Sequence, residues 1–428
     1  MCRKNIYKSK KAYHRLSGVN PVLYQGFTPA FGTLPRHHFT PFLITGNPIP
    51  ANGSHTFPTL ENSSHKGYNN NLMLILLHNR HWGKPQYKEL NIMENLIIPK
   101  NYQPALNLHD TQIAIKTVKD FFQNLLALHL NLSRVSAPLF VDPLSGLNDN
   151  LNGVERPVSF GIKEQDEKKA EVVHSLAKWK RYALNKYGFS LGEGLYTDMN
   201  AIRRDEVTDN IHSIFVDQWD WEKIISKEDR NLEFLKKTVR TVYSCLRKTE
   251  KYMSIQYDYI TEILPPEIFF ITTSELEKMY PDQTPKEREY HISREKGAVC
   301  IMQIGDVLSH GEPHDGRAPD YDDWALNADI VVYYPVLDIA LELSSMGIRV
   351  DKDSLLSQLK KAGCEERKEL PFQKAVIEEK LPLTIGGGIG QSRICMFFLR
   401  KAHIGEVQSS LWKEEIIAEC KSKNIPLL

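Results

Sequence analysis

The sequence predicts an α+β protein built on a mixed, mainly antiparallel sheet flanked by helices. Three observations lead there. Strand-like runs in the later half follow one another without helices regularly between them, which argues against a doubly wound parallel sheet. Two long stretches, Gln112–Leu130 and Trp221–Tyr252, read as helices. The glycine-rich segment Gly386–Arg393 joins a strand to a helix but fits neither common nucleotide fingerprint. A GxGxxG motif needs glycine where Gln391 or Arg393 stands, and no Gly-Lys-Ser/Thr follows as in a P-loop.

The elements are read in chain order. Residues 1–92 hold eleven Lys plus Arg, seven His and only Glu61 and Glu89 as acids. Eight prolines interrupt them, so the segment is expected to be irregular, an N-terminal extension outside the fold. An acid-poor, basic start also fits an organelle transit signal, but the segment is long, Pro-rich and without an amphipathic stretch. A third reading makes Met93 the true start. Residues 93–428 carry 43 basic and 51 acidic side chains, an ordinary acidic balance, and are expected to form the catalytic domain. In Gln112–Leu130, Ile113, Ile115, Val118, Phe121, Phe122, Leu125, Leu126 and Leu128 recur at helical spacing. An extended run, Leu132–Val141, comes next. Strands are expected at 158–162, 194–203, 211–219, 268–272, 298–304, 330–334 and 341–350. Leu383–Leu399 is a strand turning through glycines into a helix.

Composition removes several function classes. The 428 residues carry 54 Lys plus Arg against 53 Asp plus Glu, a net charge of +1, so no strongly basic coat for nucleic acid exists. No apolar run nears the roughly 18 residues of a membrane helix. The six cysteines, at 2, 245, 300, 364, 395 and 420, form no CxxC pair, and the plain expectation is a reduced, cytoplasmic protein.

Five segments can carry chemistry, each with a plainer alternative. Glycines at 386–390 let backbone approach a flat or anionic ligand, with Arg393 one turn into the helix; a tight turn with a surface Arg is the alternative. Arg203, in Ala201–Glu206, can grip a phosphate bidentately, or belong to a surface salt-bridge cluster with its neighbours. The carboxylates of Ala318–Trp324 suggest a cation site, or a charged loop. In Glu342–Val350, strict alternation puts Glu342 and Ser344 on one face, with Leu343 and Ser345 on the other. Lys180, in His174–Arg181, is a solvated helix position or an anion ligand, while Leu176, Trp179 and Ala183 form the buried stripe.

Together these strings carry a resemblance. Glu171–Asp198, Val216–Glu222, Arg317–Trp324, Glu342–Asp351 and Thr384–Arg393 resemble the ammonia-dependent asparagine synthetase (aspartate–ammonia ligase) family, over about residues 93–428. The resemblance implies a class II aminoacyl-tRNA synthetase-like catalytic core. The helix from Gln112 with the strand ending at Pro138 then resembles motif 1, a dimer element. Arg203 with Glu206 resembles motif 2, and Gly386–Arg393 motif 3. It implies ATP-dependent conversion of L-aspartate and ammonia to L-asparagine, AMP and diphosphate through a β-aspartyl-adenylate, in a homodimer that needs no nucleic acid and no membrane.

The resemblance also implies roles. Arg203 bridges the α-phosphate and the reacting carboxylate. Arg393 lies against adenine or the γ-phosphate, with Gly387, Gly388, Ser344 and Ser345 around the nucleotide. Glu342, helped by Ser345, holds Mg²⁺. Asp149 meets the substrate ammonium, and Ser175 and Lys180 its α-carboxylate. Gln218 and Asp220 line the pocket, with Asp320 and Arg349 facing it. Asp220 or Asp320 takes the proton of the attacking ammonium.

Two departures stand out: Arg204 replaces an expected proline, and the loop 207–210 looks one residue short. Residues 1–92 match nothing in the family. Cys2 invites comparison with glutamine-dependent synthetases, but Arg3 and Lys4 follow it, and no amidotransferase domain is visible. The rival readings are an aspartyl- or asparaginyl-tRNA synthetase-like adenylating enzyme, for which no anticodon-binding barrel is visible, and a non-catalytic paralogue.

Overall fold

A computed structural model describes residues 96–149, 151 and 155–428. The expected extension over 1–92 lies outside the described residues. Helix α1 (Leu108–Leu130) opens the described fold. The Asn107 side chain caps it by accepting from Asp110 N at 2.9 Å, and Asn131 ends it in the left-handed region at φ 57°. Its inner stripe, Ala114, Val118, Phe122, Leu126 and Leu130, recurs every fourth residue and is buried.

An eight-stranded sheet packs beneath this stripe, in the order β1-β5-β6-β11-β10-β9-β8-β7. Its strands are β1 (Leu132–Arg134), β5 (Gly194–Ile202), β6 (Phe215–Ile224), β7 (Phe269–Thr272), β8 (Ala298–Met302), β9 (Asp322–Tyr334), β10 (Ile339–Arg349) and β11 (Thr384–Gly390). Neighbours from β5 to β8 are antiparallel, while the two edge pairings, β1 with β5 and β7 with β8, are parallel. A small antiparallel sheet of β2 (Phe140–Val141), β4 (Lys168–Val172) and β3 (Ser159–Ile162) stands apart. The expected α+β class with a mainly antiparallel sheet is what the chain forms.

One face of the large sheet is the main core. There Trp219 and Trp221 of β6 are fully buried, with Phe122 of α1 5.0 Å from Trp219 between ring centres. Helices α3 (Leu232–Gln256) and α8 (Gln391–Phe398) contribute Leu246 and Phe397 to the same cluster. On strands that pair on both sides, side chains alternate between this core and the opposite face. That opposite face, partly roofed by α2 (Ala177–Tyr187), carries the polar residues described below.

The structure corrects three expectations. The segment from Trp221 does not begin a helix: β6 runs on to Ile224, and α3 starts at Leu232 behind the Asn231 cap. Trp219 and Trp221 alternate with Asp220 and Glu222, and β5 and β11 take up the backbone on both sides. The carboxylates near Trp324 do not converge as a cation site. Asp320 pairs with Lys178 at 3.0 Å, Asp323 with Arg230 at 2.6 Å, and Asp322 with Arg349.

The third correction lies in β10. Glu342 pairs with Val331 and Ser344 with Ile330, so Leu343 is an extra residue, a β-bulge. The shift reverses the alternation beyond it, bringing Ser345 to the side of Glu342 and leaving Ser344 beside the backbone of Gly388.

Candidate active site

The polar face of the sheet opens into a cavity of about 490 Å³. Strand β6 supplies Gln218 and Asp220, with Glu222 next on the same side. Opposite them on β11 stand Gly390, Gly388 and Gly386 respectively. A Cβ on Gly388 would overlap the Gln218 amide and come within 3.1 Å of Asp220 Oδ1, and one on Gly386 would run into the Glu222 carboxylate. These glycines therefore make room for three polar side chains on the neighbouring strand. Gly387 faces the other way, where a Cβ would lie 2.7 Å from the Met346 Cβ.

Helix α2 lies over these strands with its basic residues inward. Lys180 is 1% exposed; its Nζ donates to Gly387 O at 2.9 Å and pairs with Asp220 Oδ2 at 3.1 Å. Burial pushes its pKa down, against the opposing pull of Asp220. Lys180 is thus no solvated helix position. Arg181, also buried, donates to Pro382 O at 2.8 Å and Val350 O at 2.7 Å, and burial lowers it to about 10. At the front of α2, the Ser175 hydroxyl donates to Asp149 Oδ2 at 2.8 Å, and Asp149 Oδ1 accepts from Leu151 N at 2.9 Å. Asp149, Ser175, Lys180, Gln218 and Asp220 all line the cavity.

A second group of residues lines the same cavity. Arg203 follows β5, held by its own N–H on Ile214 O at 2.9 Å; its Nε is buried without a hydrogen-bond partner. Arg393, three residues into α8, donates to Glu342 O at 3.1 Å, and lies 4.0 Å from the Glu342 carboxylate. Glu342 and Ser345 line the cavity, and Arg317 donates to Ser345 Oγ at 2.6 Å and to Asp329 Oδ1 at 2.7 Å. Asp220 Oδ1 is buried with no donor on it. Buried polar atoms ordinarily find a partner, so such orphans in a cavity mark places where a ligand completes the set.

Arg349 lines the cavity, and buried Glu222 holds it from behind. The guanidinium donates to Glu222 through Nε at 3.0 Å and Nη2 at 2.8 Å, and through Nη1 to Asp322. Burial alone lowers an arginine pKa and raises a carboxylate. Here Glu222 and Asp322 outweigh it for Arg349, which is raised. Arg349, Lys180 and the Thr384 hydroxyl outweigh it for Glu222, which is held low. Arg349 lines the cavity with its fork already occupied.

Two expected site residues stand apart. Asp320 is fully buried and does not line the cavity. It accepts from Lys178 Nζ at 3.0 Å and Gln373 Nε2 at 2.7 Å. Ser344 donates to Gly388 O at 3.2 Å, behind the cavity wall. Conversely, sequence alone assigns no separate role to Glu222, Asp329 or Lys286, and Arg317 stands there only at the head of the string Arg317–Trp324. Glu222 was legible: it continues the period-two series of Gln218 and Asp220. Asp329 and Lys286 come from distant elements, and no local signal joins them to the rest.

A sequence profile described as aspartate–ammonia ligase matches residues 109–424. The chain belongs to the aspartate–ammonia ligase family. An aspartate–ammonia ligase of Clostridium perfringens is 65% identical over 336 residues, 78% of this chain and 100% of that protein. That of Ruminiclostridium cellulolyticum is 63% identical over the same shares of both chains. Among solved structures, an asparaginyl-tRNA synthetase of Pyrococcus horikoshii, complexed with asparaginyl-adenylate, matches with a TM-score of 0.51 at 14% identity, covering 71% of this chain and 70% of its own. A putative aspartyl-tRNA synthetase of Leishmania major matches at 0.51 and 10% identity, over 75% and 72%. At such identities the likeness is one of fold: this chain has a class II aminoacyl-tRNA synthetase-like fold. Among the described residues, no helix is long and apolar enough to cross a membrane.

Proposed function

We propose that the chain condenses L-aspartate with ammonia at the expense of ATP, giving L-asparagine, AMP and diphosphate, as a cytoplasmic homodimer. One observation carries this reading. A single cavity joins the carboxylate–hydroxyl–ammonium group Asp149, Ser175 and Lys180 to the guanidinium groups of Arg203 and Arg393, with Gln218 and Asp220 between β6 and the glycines of β11. The first group suits an amino acid's ammonium and carboxylate. The second suits a polyphosphate.

Two anions must meet for the reaction to start. A β-carboxylate oxygen of aspartate attacks the α-phosphorus; the bond from that phosphorus to the bridging oxygen breaks, and diphosphate leaves. Arg203, whose buried Nε has no protein partner, would hold the α-phosphate and the incoming carboxylate together. Ammonia then attacks the acyl carbon, the bond to AMP breaks, and the nitrogen loses a proton. Asp220 is the acceptor we assign, because it lines the cavity and its buried Oδ1 has no protein partner, while Asp320 lies outside the cavity. Gln218, beside Asp220, would orient the side-chain carboxylate.

Mg²⁺ fits the donor set. Among the described residues, no group of three His, Cys, Asp or Glu side chains could hold a metal alone. Mg²⁺ on a nucleotide needs only one or two carboxylates, the rest coming from phosphate and water. Glu342, lining the cavity beside Ser345, would hold it, and the ion would neutralise charge on the phosphates. The dimer reading rests on α1 and β1, in the place of motif 1, where Leu108, Ile113 and Leu128 of α1 are exposed.

The test follows ¹⁸O from the β-carboxylate of labelled aspartate with ammonium present. Label in AMP supports the adenylate. Label in inorganic phosphate, with ADP formed, would replace it by an acyl phosphate.

A further inference from the structure

Lys286 begins near the cavity rim, one residue after Pro285 in helix α5 (Pro285–Lys296). Its side chain lines the same cavity as Arg203, Arg393 and Glu342. The ammonium sits 3.1 Å from Glu289 and 3.8 Å from Asp315, and Glu342 acts on it electrostatically. The Lys286 side chain is 74% exposed, so it is free to re-aim.

The other cations of the cavity divide by how firmly they are held. Arg317 is bonded to Asp329 and Ser345, and Arg349 to Glu222 and Asp322, with both side chains no more than 8% exposed. A guanidinium or ammonium locked by a buried carboxylate cannot turn to an incoming anion without stranding that carboxylate, which is costly. Lys286 is itself exposed and Asp315 is half-exposed, so that pair exchanges at little cost, about 0–1 kcal/mol, while Glu289 is buried and needs another partner when the lysine turns away. Glu289 also keeps a second partner when the lysine leaves, since His314 Nε2 lies 3.2 Å from it.

We infer that Lys286 is a polyphosphate-binding residue: its ammonium leaves Glu289 and Asp315 to contact the β- or γ-phosphate of the bound nucleoside triphosphate. The inference rests on the proposal that ATP occupies this cavity, and deepens it. The contact lies beyond the α-phosphate, so it distinguishes ATP from AMP. Lys286 is on a helix outside the glycine strand, and Asp315 lies in the connection from β8 to β9. Binding therefore exchanges a contact with that connection for one with the ligand.

The test compares Lys286→Met and Lys286→Arg with the full-length protein, measuring Kd for ATP and AMP and KM for ATP and aspartate. For Lys286→Met, ATP affinity should fall about tenfold, the scale of one charge-assisted contact. AMP affinity and the KM for aspartate should change less than about twofold. Lys286→Arg should restore ATP affinity to within about threefold, keeping charge without the same reach. Equal losses for ATP and AMP, or an unchanged ATP affinity, overturn the inference. A wild-type protein that binds no ATP would instead overturn the reading of the cavity on which it rests.

Discussion

Gly386 and Glu222 face each other across β11 and β6, and the glycine leaves the space the carboxylate fills. Glu222 is fully buried and accepts from Arg349 and Thr384, so it has nowhere to retreat. Gly386→Ala is expected to dislodge it from Arg349. Breaking a buried pair costs about 3–5 kcal/mol, and a melting or urea experiment on the purified variant should show a loss of that size. Gly388→Ala meets the end of Gln218 instead. It should leave the melting temperature within a few degrees while raising the KM for aspartate.

The pair also sets a pH dependence. Glu222 is held below its ordinary value, so its contribution is fully present above the unfolded carboxylate pKa and is lost as pH falls through the folded one. His403 acts in the same direction at higher pH. It is buried against Trp412, accepts from Gly405 N at 3.0 Å, and burial lowers it to about 4. The unfolded state takes up the proton first, so stability falls as pH drops from about 6.5 towards 4. At full effect this amounts to roughly 3 kcal/mol. Unfolding measured from pH 7 to 4.5 should fall less steeply for His403→Asn, which keeps an acceptor and cannot charge.

Much of this was legible before any coordinates. The glycines of β11, Arg203, Gln218, Asp220 and Arg393 sit in long ordered strings, and the cavity gathers them. What escaped was of three kinds. The bulge at Leu343 is a backbone event, set by pairing with β9, and strict period-two reading therefore exchanged Ser344 and Ser345. Asp320 looked like its neighbours because charge alone does not show direction. Lys178, 142 residues away, takes it out of the cavity. Trp221 reads as the start of a helix, although its alternation with Asp220 and Glu222 carries β6 on to Ile224 and the helix starts only behind the Asn231 cap.

Arg203→Lys tests the phosphate role. Lysine keeps the charge and loses the planar fork that serves two anions at once. Losing one such transition-state donor costs about 10²–10³-fold in kcat. The variant should show that loss in aspartate-dependent exchange of diphosphate into ATP, with the melting temperature unchanged. A change in KM for ATP alone would make Arg203 a ground-state contact.

A protein beginning at Met93 should be as active as the full chain. The Clostridium perfringens relative is matched along its entire length by 336 residues, and 93–428 is a stretch of that length. Equal kcat and KM for all three substrates are expected. A fall in either would give residues 1–92 a part in the reaction.

Asp220→Asn separates the two half-reactions. Adenylation asks nothing of Asp220 as a base, whereas ammonium must lose a proton on attack. Hydroxylamine is already neutral at pH 7 and needs less help. The variant should keep diphosphate exchange while losing about 10²–10⁴-fold in asparagine formation, the usual range for a general base. Hydroxylamine should recover much of that loss as the hydroxamate. The pairing of Asp220 with Lys180 supplies the control. If the substitution acts by leaving Lys180 buried and unpaired, exchange and both nucleophiles will suffer together. Loss confined to ammonium assigns the proton to Asp220.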